Sequence, residues 1–259
     1  MTLRLDALSF GHRGKVVGRE VTLHVVPGEV LALFGPNGVG KTTLFKTMLG
    51  LMPALGGTVA LDECALPQWS RAERARRIAY VPQAHAALFP FVARDVVLMG
   101  RAAHVSLFAM PGRADREIAE HSLSELGIAH LAGRPYTELS GGERQLVLIA
   151  RALAQQAGII VMDEPTASLD YGNQMRVLDC IRGLARDGRS IVLSTHDPGH
   201  VFLVADRVVL LKDGVVRAEG APGEVLTAAA IREVYGVDVV VGTLEGGRAA
   251  SCVPRLDDN

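Results

Sequence analysis

The sequence predicts an α/β fold: a mostly parallel sheet with helices on both faces, an antiparallel β subdomain and an inserted helical subdomain. Three observations carry this. Short runs at Val30–Phe34 (VLALF), Ile159–Met162 (IIVM) and Ile191–Ser194 (IVLS) are apolar on both faces, as strands covered on both sides are. A glycine-rich turn, GPNGVGKT, follows the first run and leads straight into an apolar helix, TLFKTMLGL. From Arg113 to Ala157 the apolar spacing changes to that of helices.

Element by element, VTLHVVPGEV has the alternation and Pro-Gly turn of an antiparallel hairpin, and Gly57–Leu61 reads as a further such strand. DREIAEHSLSELGI and GERQLVLIARALAQQ read as two helices. After IVLS, Asp197 is placed to cap a helix whose first turn holds Pro198. Neither an internal repeat nor a low-complexity block interrupts the pattern, and polar Gly246–Asn259 is expected to be loose.

Composition sets outer limits. The 259 residues, 49% of them hydrophobic, suffice for a substantial core. Lys+Arg 27 against Asp+Glu 28 leaves a formal charge of −1, which argues against bulk electrostatic binding to nucleic acid or anionic lipid. Cys64, Cys180 and Cys252 lie far apart and form no CxxC pair, so reduced thiols are expected rather than a disulfide frame or a zinc site. MTLRLDALSF carries Asp6 and no apolar signal core. The longest charge-free stretch, Ile78 to Ala93, is broken by Pro82 and Pro90 and carries Gln83 and His85. A spanning helix needs about 20 mostly apolar residues. The expectation is a soluble, cytoplasmic protein.

The chemistry concentrates in a few segments. GPNGVGKT fits G-x-x-x-x-G-K-[ST]: its glycines let backbone N–H groups curl round phosphate oxygens at a helix N-terminus. Lys41 is then placed for the β- and γ-phosphates and Thr42 for Mg²⁺. In IIVMDEP the strand delivers Asp163 and Glu164 to its C-terminal end, where open α/β sheets bind ligands. Asp163 can hold Mg²⁺ through water, and Glu164 can polarise a water for attack on the γ-phosphate. In LSGGERQ, Ser140 and Glu143 have capping-box spacing. Two glycines in that first turn cost about 1 kcal/mol each relative to alanine. A cap does not need them, whereas a phosphate approaching the helix start does. His196 and His200 are four apart, but Pro198 and Gly199 between them take the pair out of metal-binding register. Arg71–Arg77 (RAERARR) reads as a solvated helix face with Glu73 and Arg77 at i, i+4.

Together these segments resemble the ATP-binding cassette ATPases, from Thr2 to about Val241. Gly35, Pro36, Asn37, Gly38, Val39, Gly40, Lys41, Thr42 and Thr43 match the Walker A loop, and Gln83 in VPQ the Q-loop. Ser140, Gly141, Gly142 and Glu143 match the signature, with glutamate in place of the commoner glutamine. Asp163 matches Walker B, Asp170 closing ASLD the D-loop, and His196 in STHD the switch histidine. The resemblance implies a RecA-like P-loop NTPase core within a cassette at 1–225, a helical subdomain at about 84–157, and a C-terminal extension at 226–259 with a flexible tail. It implies ATP and Mg²⁺ as cofactors, with Thr42, Gln83 and Asp163 around the metal and Glu164, His196 and Gln83 in catalysis. It also implies a head-to-tail homodimer, each ATP lying between the Walker A loop of one copy and Ser140, Gly141, Gly142 and Glu143 of the other. His12 in LSFGHRG stands where the family puts an aromatic ring on adenine. Phe10 lies two residues earlier and so on the same strand face, leaving either ring able to reach the base.

A finer resemblance is to importer cassettes for iron–siderophore, haem and cobalamin. It is carried by RRIAYVPQ (Arg76–Gln83), RDVVLMGRAAH (Arg94–His104), LDYGNQ (Leu169–Gln174) and REVYGVDV (Arg232–Val239). Molybdate or tungstate importers share the VLMGR-x-x-H-x-x-x-F arrangement of Val97–Phe108. The implied role is an importer ATPase, peripheral on the cytoplasmic face of the inner (plasma) membrane. Its implied partners are two copies of a membrane permease, docking on FVARDVVLMGR, and indirectly a periplasmic or surface substrate-binding protein; nucleic acid is not among them. The alternatives are a soluble non-transport cassette ATPase of DNA repair or translation, and an export cassette. The single cassette with no heptad run or basic arm disfavours the first, and the lack of fused membrane helices the second.

Overall fold

A computed structural model describes residues 1–12, 14–83, 90–106, 109–243 and 250–255. In chain order come β1 (Leu3–His12), β2 (Lys15–Val25), β3 (Val30–Phe34), α1 (Lys41–Met48), β4 (Gly56–Leu61) and β5 (Cys64–Ala65). Next are α2 (Arg71–Ala75), β6 (Ile78–Val81), α3 (Ala93–Leu98), α4 (Arg113–Glu125), α5 (Gly141–Ala154), β7 (Ile159–Met162) and α6 (Tyr171–Arg186). The chain ends through β8 (Ser190–Thr195), α7 (Pro198–Val204), β9 (Arg207–Lys212), β10 (Val215–Gly220), α8 (Pro222–Val225), α9 (Ala228–Tyr235), β11 (Val239–Thr243) and β12 (Ala250–Pro254). It divides into two compact units, Met1–Leu66 with Ala185–Asn259, and Pro67–Leu184.

In the first unit β3 is buried along its whole length, with parallel β8 on one side and parallel β9 on the other; β10 runs antiparallel along β9. Antiparallel strands in the order β2-β1-β4-β5 form a separate sheet. This corrects the hairpin expected for VTLHVVPGEV. β2 pairs with β1, Val25 facing Leu3, and the Pro27–Gly28 turn hands the chain from one sheet to the other. β1 is also irregular: register shifts between Leu8 and Phe10, and between Phe10 and Gly11, break its alternation. Phe10 is fully buried while His12 is exposed, so the two do not share a face as expected.

In the second unit β6 and β7 run parallel, Val81 beside Met162. Three helices, α3, α4 and α5, pack on one another through residues such as Val97, Leu123 and Ile149. Their junction is pinned by Arg101, 6% exposed. Its Nε donates to Asp115 Oδ1 at 2.9 Å, and its Nη1 donates to Ala154 O and Gln156 Oε1, both at 2.8 Å. Neighbouring Gly100 has no room for a side chain, since a Cβ there would lie 2.2 Å from Arg151 O. The expected solvated face at Arg71–Arg77 is more committed than its composition suggests. Glu73 closes a capping box with Ser70, and Arg77 lies 3.9 Å above the Trp69 ring.

The C-terminal stretch expected to be loose is partly ordered. β12 pairs with β11, Pro254 facing Val239, and α7 packs on β12. Residues 246–249 and 256–259 of that stretch lie outside the described residues, as do 84–89 at the start of the expected helical subdomain and Phe108. Among the described residues no helix is long and apolar enough to cross a membrane.

Candidate active site

The segment that resembles the Walker A loop, Gly35 to Thr43, runs from the end of fully buried β3 into α1, in the first unit. Its geometry depends on absent side chains. A Cβ on Gly35 would meet Leu211 O at 2.4 Å, and one on Gly40, at φ 105°, would meet Val17 Cγ1 at 2.6 Å and Phe10 Cε2 at 3.1 Å. The loop therefore lies on the Phe10 ring. No side chain caps α1, whose N-cap is Gly40. Lys41 is 5% exposed, and its ammonium donates to the carbonyls of Gly35 at 2.7 Å and Pro36 at 3.2 Å. A buried cation and a helix N-terminus both favour an anion. Thr42, one residue on, is exposed.

His196 belongs to the same unit, exposed just past the end of β8. Asp197 caps α7 as expected, accepting from Gly199 N at 2.7 Å. The Tyr235 hydroxyl, at the end of α9, donates to the His196 carbonyl at 3.4 Å, and its ring stands 5.6 Å from that of Phe34. His200 turns toward Asp197 at 3.4 Å, and burial holds its pKa below the usual histidine value.

The second unit holds Gln83, Asp163, Glu164, the signature and the D-loop. Val81 and Met162 are register partners at the C-terminal ends of β6 and β7, so Gln83 and Asp163 leave adjacent strands at the same sheet end. Asp163 is 4% exposed and accepts the Tyr80 hydroxyl at 3.3 Å. Burial first, and then the Asp163 carboxylate, raise the tyrosine pKa, keeping it a neutral donor. Glu164 follows with φ 45° and Ser168 with φ 62°, left-handed values that non-glycine residues hold only under local constraint.

Ser140 caps α5, accepting from Glu143 N, while Glu143 Oε2 accepts from Ser140 N at 2.8 Å. The backbone hydrogen bond to Ser140 is the main influence holding the Glu143 carboxyl below its usual pKa. Gly141 leaves room: a Cβ there meets Leu169 Cδ2 at 3.4 Å, an ordinary contact. Gly142 does not, as a Cβ there would lie 2.4 Å from Asn173 Cγ. Asp170 accepts from Asn173 N at 2.9 Å and from Asn173 Nδ2 at 2.7 Å.

The family described as ABC transporter matches residues 19–167, more than half of the chain. The chain belongs to the ABC transporter family. It is an ATP-binding subunit, and such subunits are ATPases; the mixed parallel and antiparallel sheets with their helices are those of the P-loop NTPase fold. An ABC transporter ATP-binding protein of Haemophilus influenzae is 43% identical over 91% of this chain and 89% of its own. The hemin import ATP-binding protein HmuV of Rhodococcus jostii is 40% identical over 99% of this chain and 87% of its own. The cobalamin import ATP-binding protein BtuD of Halobacterium salinarum is 39% identical over 99% of this chain and 64% of its own. Among solved structures, a metal-chelate type ABC transporter in an inward-facing conformation superposes with TM-score 0.86 at 31% identity, over 98% of this chain and 97% of that one.

In this ABC transporter subunit the donors expected for Mg²⁺ are a hydroxyl, an amide oxygen and a carboxylate. These are hard oxygen ligands that fit Mg²⁺, and Asp163 is already oriented by Tyr80. Tyr80, Asn173 and Gln174 were not singled out from sequence as site residues.

Proposed function

We propose that this ABC transporter subunit powers uptake of a metal chelate (an iron–siderophore, haem or cobalamin) through a membrane permease, hydrolysing Mg-ATP as a homodimer. The observation that carries the cargo class is the reach of the similarity. It extends through the C-terminal extension, over 98–99% of the chain, to hemin, cobalamin and metal-chelate subunits. In this reading the cassette is 1–225, its helical subdomain about 84–157, and 226–259 the extension. The subunit lies peripherally on the cytoplasmic face of the plasma membrane, with two permease copies and, through them, an external binding protein. Exposed Phe91 and Met99, in FVARDVVLMGR, give that permease an apolar foothold.

The chemistry follows from the groups in place. Lys41 and the N–H groups around Gly38 to Thr43 hold the phosphates, and His12 stacks on adenine. Glu164 takes the proton of the attacking water; His196 hydrogen-bonds the γ-phosphate and orients Glu164; Gln83 couples that water to the helical subdomain. Thr42, Gln83 and Asp163 would hold Mg²⁺, which when bound would offset phosphate charge. Ser140, Gly141, Gly142 and Glu143 of one copy face the nucleotide of the other, beside Asp170. ATP binding closes the dimer and hydrolysis reopens it, a two-state change biased by the γ-phosphate.

The test is ATPase stimulation of the reconstituted complex by ferric siderophore, haem, cobalamin and molybdate, each with its binding protein. Stimulation by one of the first three is expected. Stimulation by molybdate alone removes the metal-chelate assignment, and a subunit that co-purifies with nucleic acid and no permease removes transport.

A further inference from the structure

The LDYGNQ segment makes a definite set of contacts. Asn173 sits at the third position of α6, and Asp170, just before that helix, takes two hydrogen bonds from it. The next residue, Gln174, donates from Nε2 to Leu169 O at 3.1 Å. Together they hold both ends of the Leu169–Asp170 step, directly after Ser168 with its left-handed φ of 62°. The same Asn173 side chain then abuts the signature helix. A Cβ on Gly142 would lie 2.4 Å from Asn173 Cγ, 2.5 Å from Oδ1 and 2.7 Å from Cβ. At Gly141 the same added atom would find ordinary contact distances, 3.4 Å to Leu169 Cδ2 and 4.0 Å to Ser168 O.

We propose that Asn173 is a positioning residue that keys the D-loop acid Asp170 to the first turn of the signature helix. Gly142 is glycine because Asn173 of its own chain occupies the space a side chain would take, whereas the freedom at Gly141 serves the second copy's nucleotide. Signature and D-loop then move as one piece in each subunit, so closure of one carries the other with it. The idea deepens the shared-site reading and rests on it for its catalytic consequence, but the steric part lies within one chain and needs no nucleotide.

The test is a set of variants of the full chain, measured for ATPase kinetics and melting temperature. Gly142→Ala is expected to lower kcat by about tenfold or more, and Asn173→Gly/Gly142→Ala to recover to within about threefold of Asn173→Gly alone. If Gly142→Ala melts too low to assay, the same account requires Asn173→Gly to restore its melting temperature. Asn173→Asp keeps the volume and suits a helix N-terminus but loses the Nδ2 donor. The oxygen it gains faces the Asp170 carboxylate, so the melting temperature is expected to fall by a few degrees, with an ATP KM within about twofold of wild type while kcat falls severalfold. A merely structural asparagine would leave that kcat unchanged. Normal activity of Gly142→Ala, no recovery in the double variant, or an unchanged kcat in Asn173→Asp each overturns the proposal. Should the shared site itself be wrong, Gly141→Asp hydrolyses ATP normally while the steric rescue of the melting temperature still occurs.

Discussion

A few side chains decide what the candidate site residues of each unit can do. Glu164 stands at a left-handed φ of 45° directly after buried Asp163, so its carboxylate is placed by backbone constraint. Replacing it by the isosteric amide removes the proton acceptor alone. Glu164→Gln is expected to bind ATP normally and to hydrolyse it about 10²-fold more slowly or worse. Near-normal turnover of that variant in a coupled assay would take Glu164 out of the role. Phe10 offers the opposite case. It is fully buried, and Gly40 and Gly18 both close on its ring, with a Cβ on Gly18 landing 2.2 Å from Phe10 Cζ. Phe10→Ala is therefore expected to cost about 3–5 kcal/mol of stability. His12 is exposed on the far side of the β1 irregularity, and the proposed function puts the base on its ring. Stacking is worth roughly 1–3 kcal/mol per base, so His12→Tyr is expected to tighten ATP binding severalfold and His12→Ala to weaken it. Melting curves and ATP titrations of these variants separate the two rings; nucleotide affinity lost only in Phe10→Ala would reverse the assignment.

At the level of elements, helix starts carry both the chemistry and much of the acid sensitivity. α1 begins bare, whereas α5 is closed by its own Ser140–Glu143 box. Glu143 has its pKa lowered mainly by the Ser140 backbone hydrogen bond, and Asp115, at the start of α4, mainly by its hydrogen bond to Arg101. A carboxyl whose folded pKa lies below its unfolded one contributes stability above the unfolded value, about 4, and loses it as pH falls through the folded value. Melting temperature is expected to drop over that acid range. Glu143→Gln keeps the box without the charge and so should flatten part of the drop; an unchanged acid slope would show that Glu143 does not contribute. Arg101→Ala should lower stability by removing the guanidinium that ties Asp115, Ala154 and Gln156 together, and Arg101→Lys should recover only part, because one ammonium cannot reproduce the guanidinium fork. Urea midpoints check both. This scale also shows what was legible in the sequence. The Walker A and signature segments could be read because both set glycines at fixed spacings at a helix start, although at Gly35, Gly40 and Gly142 it is close packing that excludes a side chain. The β2–β3 turn was misread because Pro-Gly looks the same whether two strands pair or part into different sheets. The β11–β12 pairing was missed because Val240 and Val253 are half exposed, so burial imposed no alternation. Tyr80 was missed because Asp163 is distant in sequence, and Asn173 because Gly142 is, although its spacing of three from Asp170 was readable.

For the whole molecule, the question is whether a complete ATP site needs two copies of the chain. Gly141 allows a direct test, because its own subunit leaves it free. The nearest atoms to an added Cβ are at 3.4 and 4.0 Å, so Gly141→Asp should fold and keep the Walker A loop of the same chain competent to bind nucleotide. Lys41→Ala removes the ammonium that now bridges the Gly35 and Pro36 carbonyls and would meet the phosphates. As separate homodimers both variants are expected to be inactive. Mixed, they form heterodimers in which one composite site carries both defects and the other carries neither, since C₂ symmetry pairs the Walker A loop of each copy with the signature of its mate. Random pairing makes half of the dimers mixed, so about a quarter of the wild-type number of intact sites should return. Nucleotide occlusion in a Glu164→Gln background reads that fraction without requiring turnover at both sites together. If Walker A and signature instead served one nucleotide within a single chain, every chain in the mixture would carry a lesion and nothing would be recovered. Recovery near a quarter on mixing, with none in either parent, is the outcome a shared site requires, and its absence would assign the signature to its own subunit.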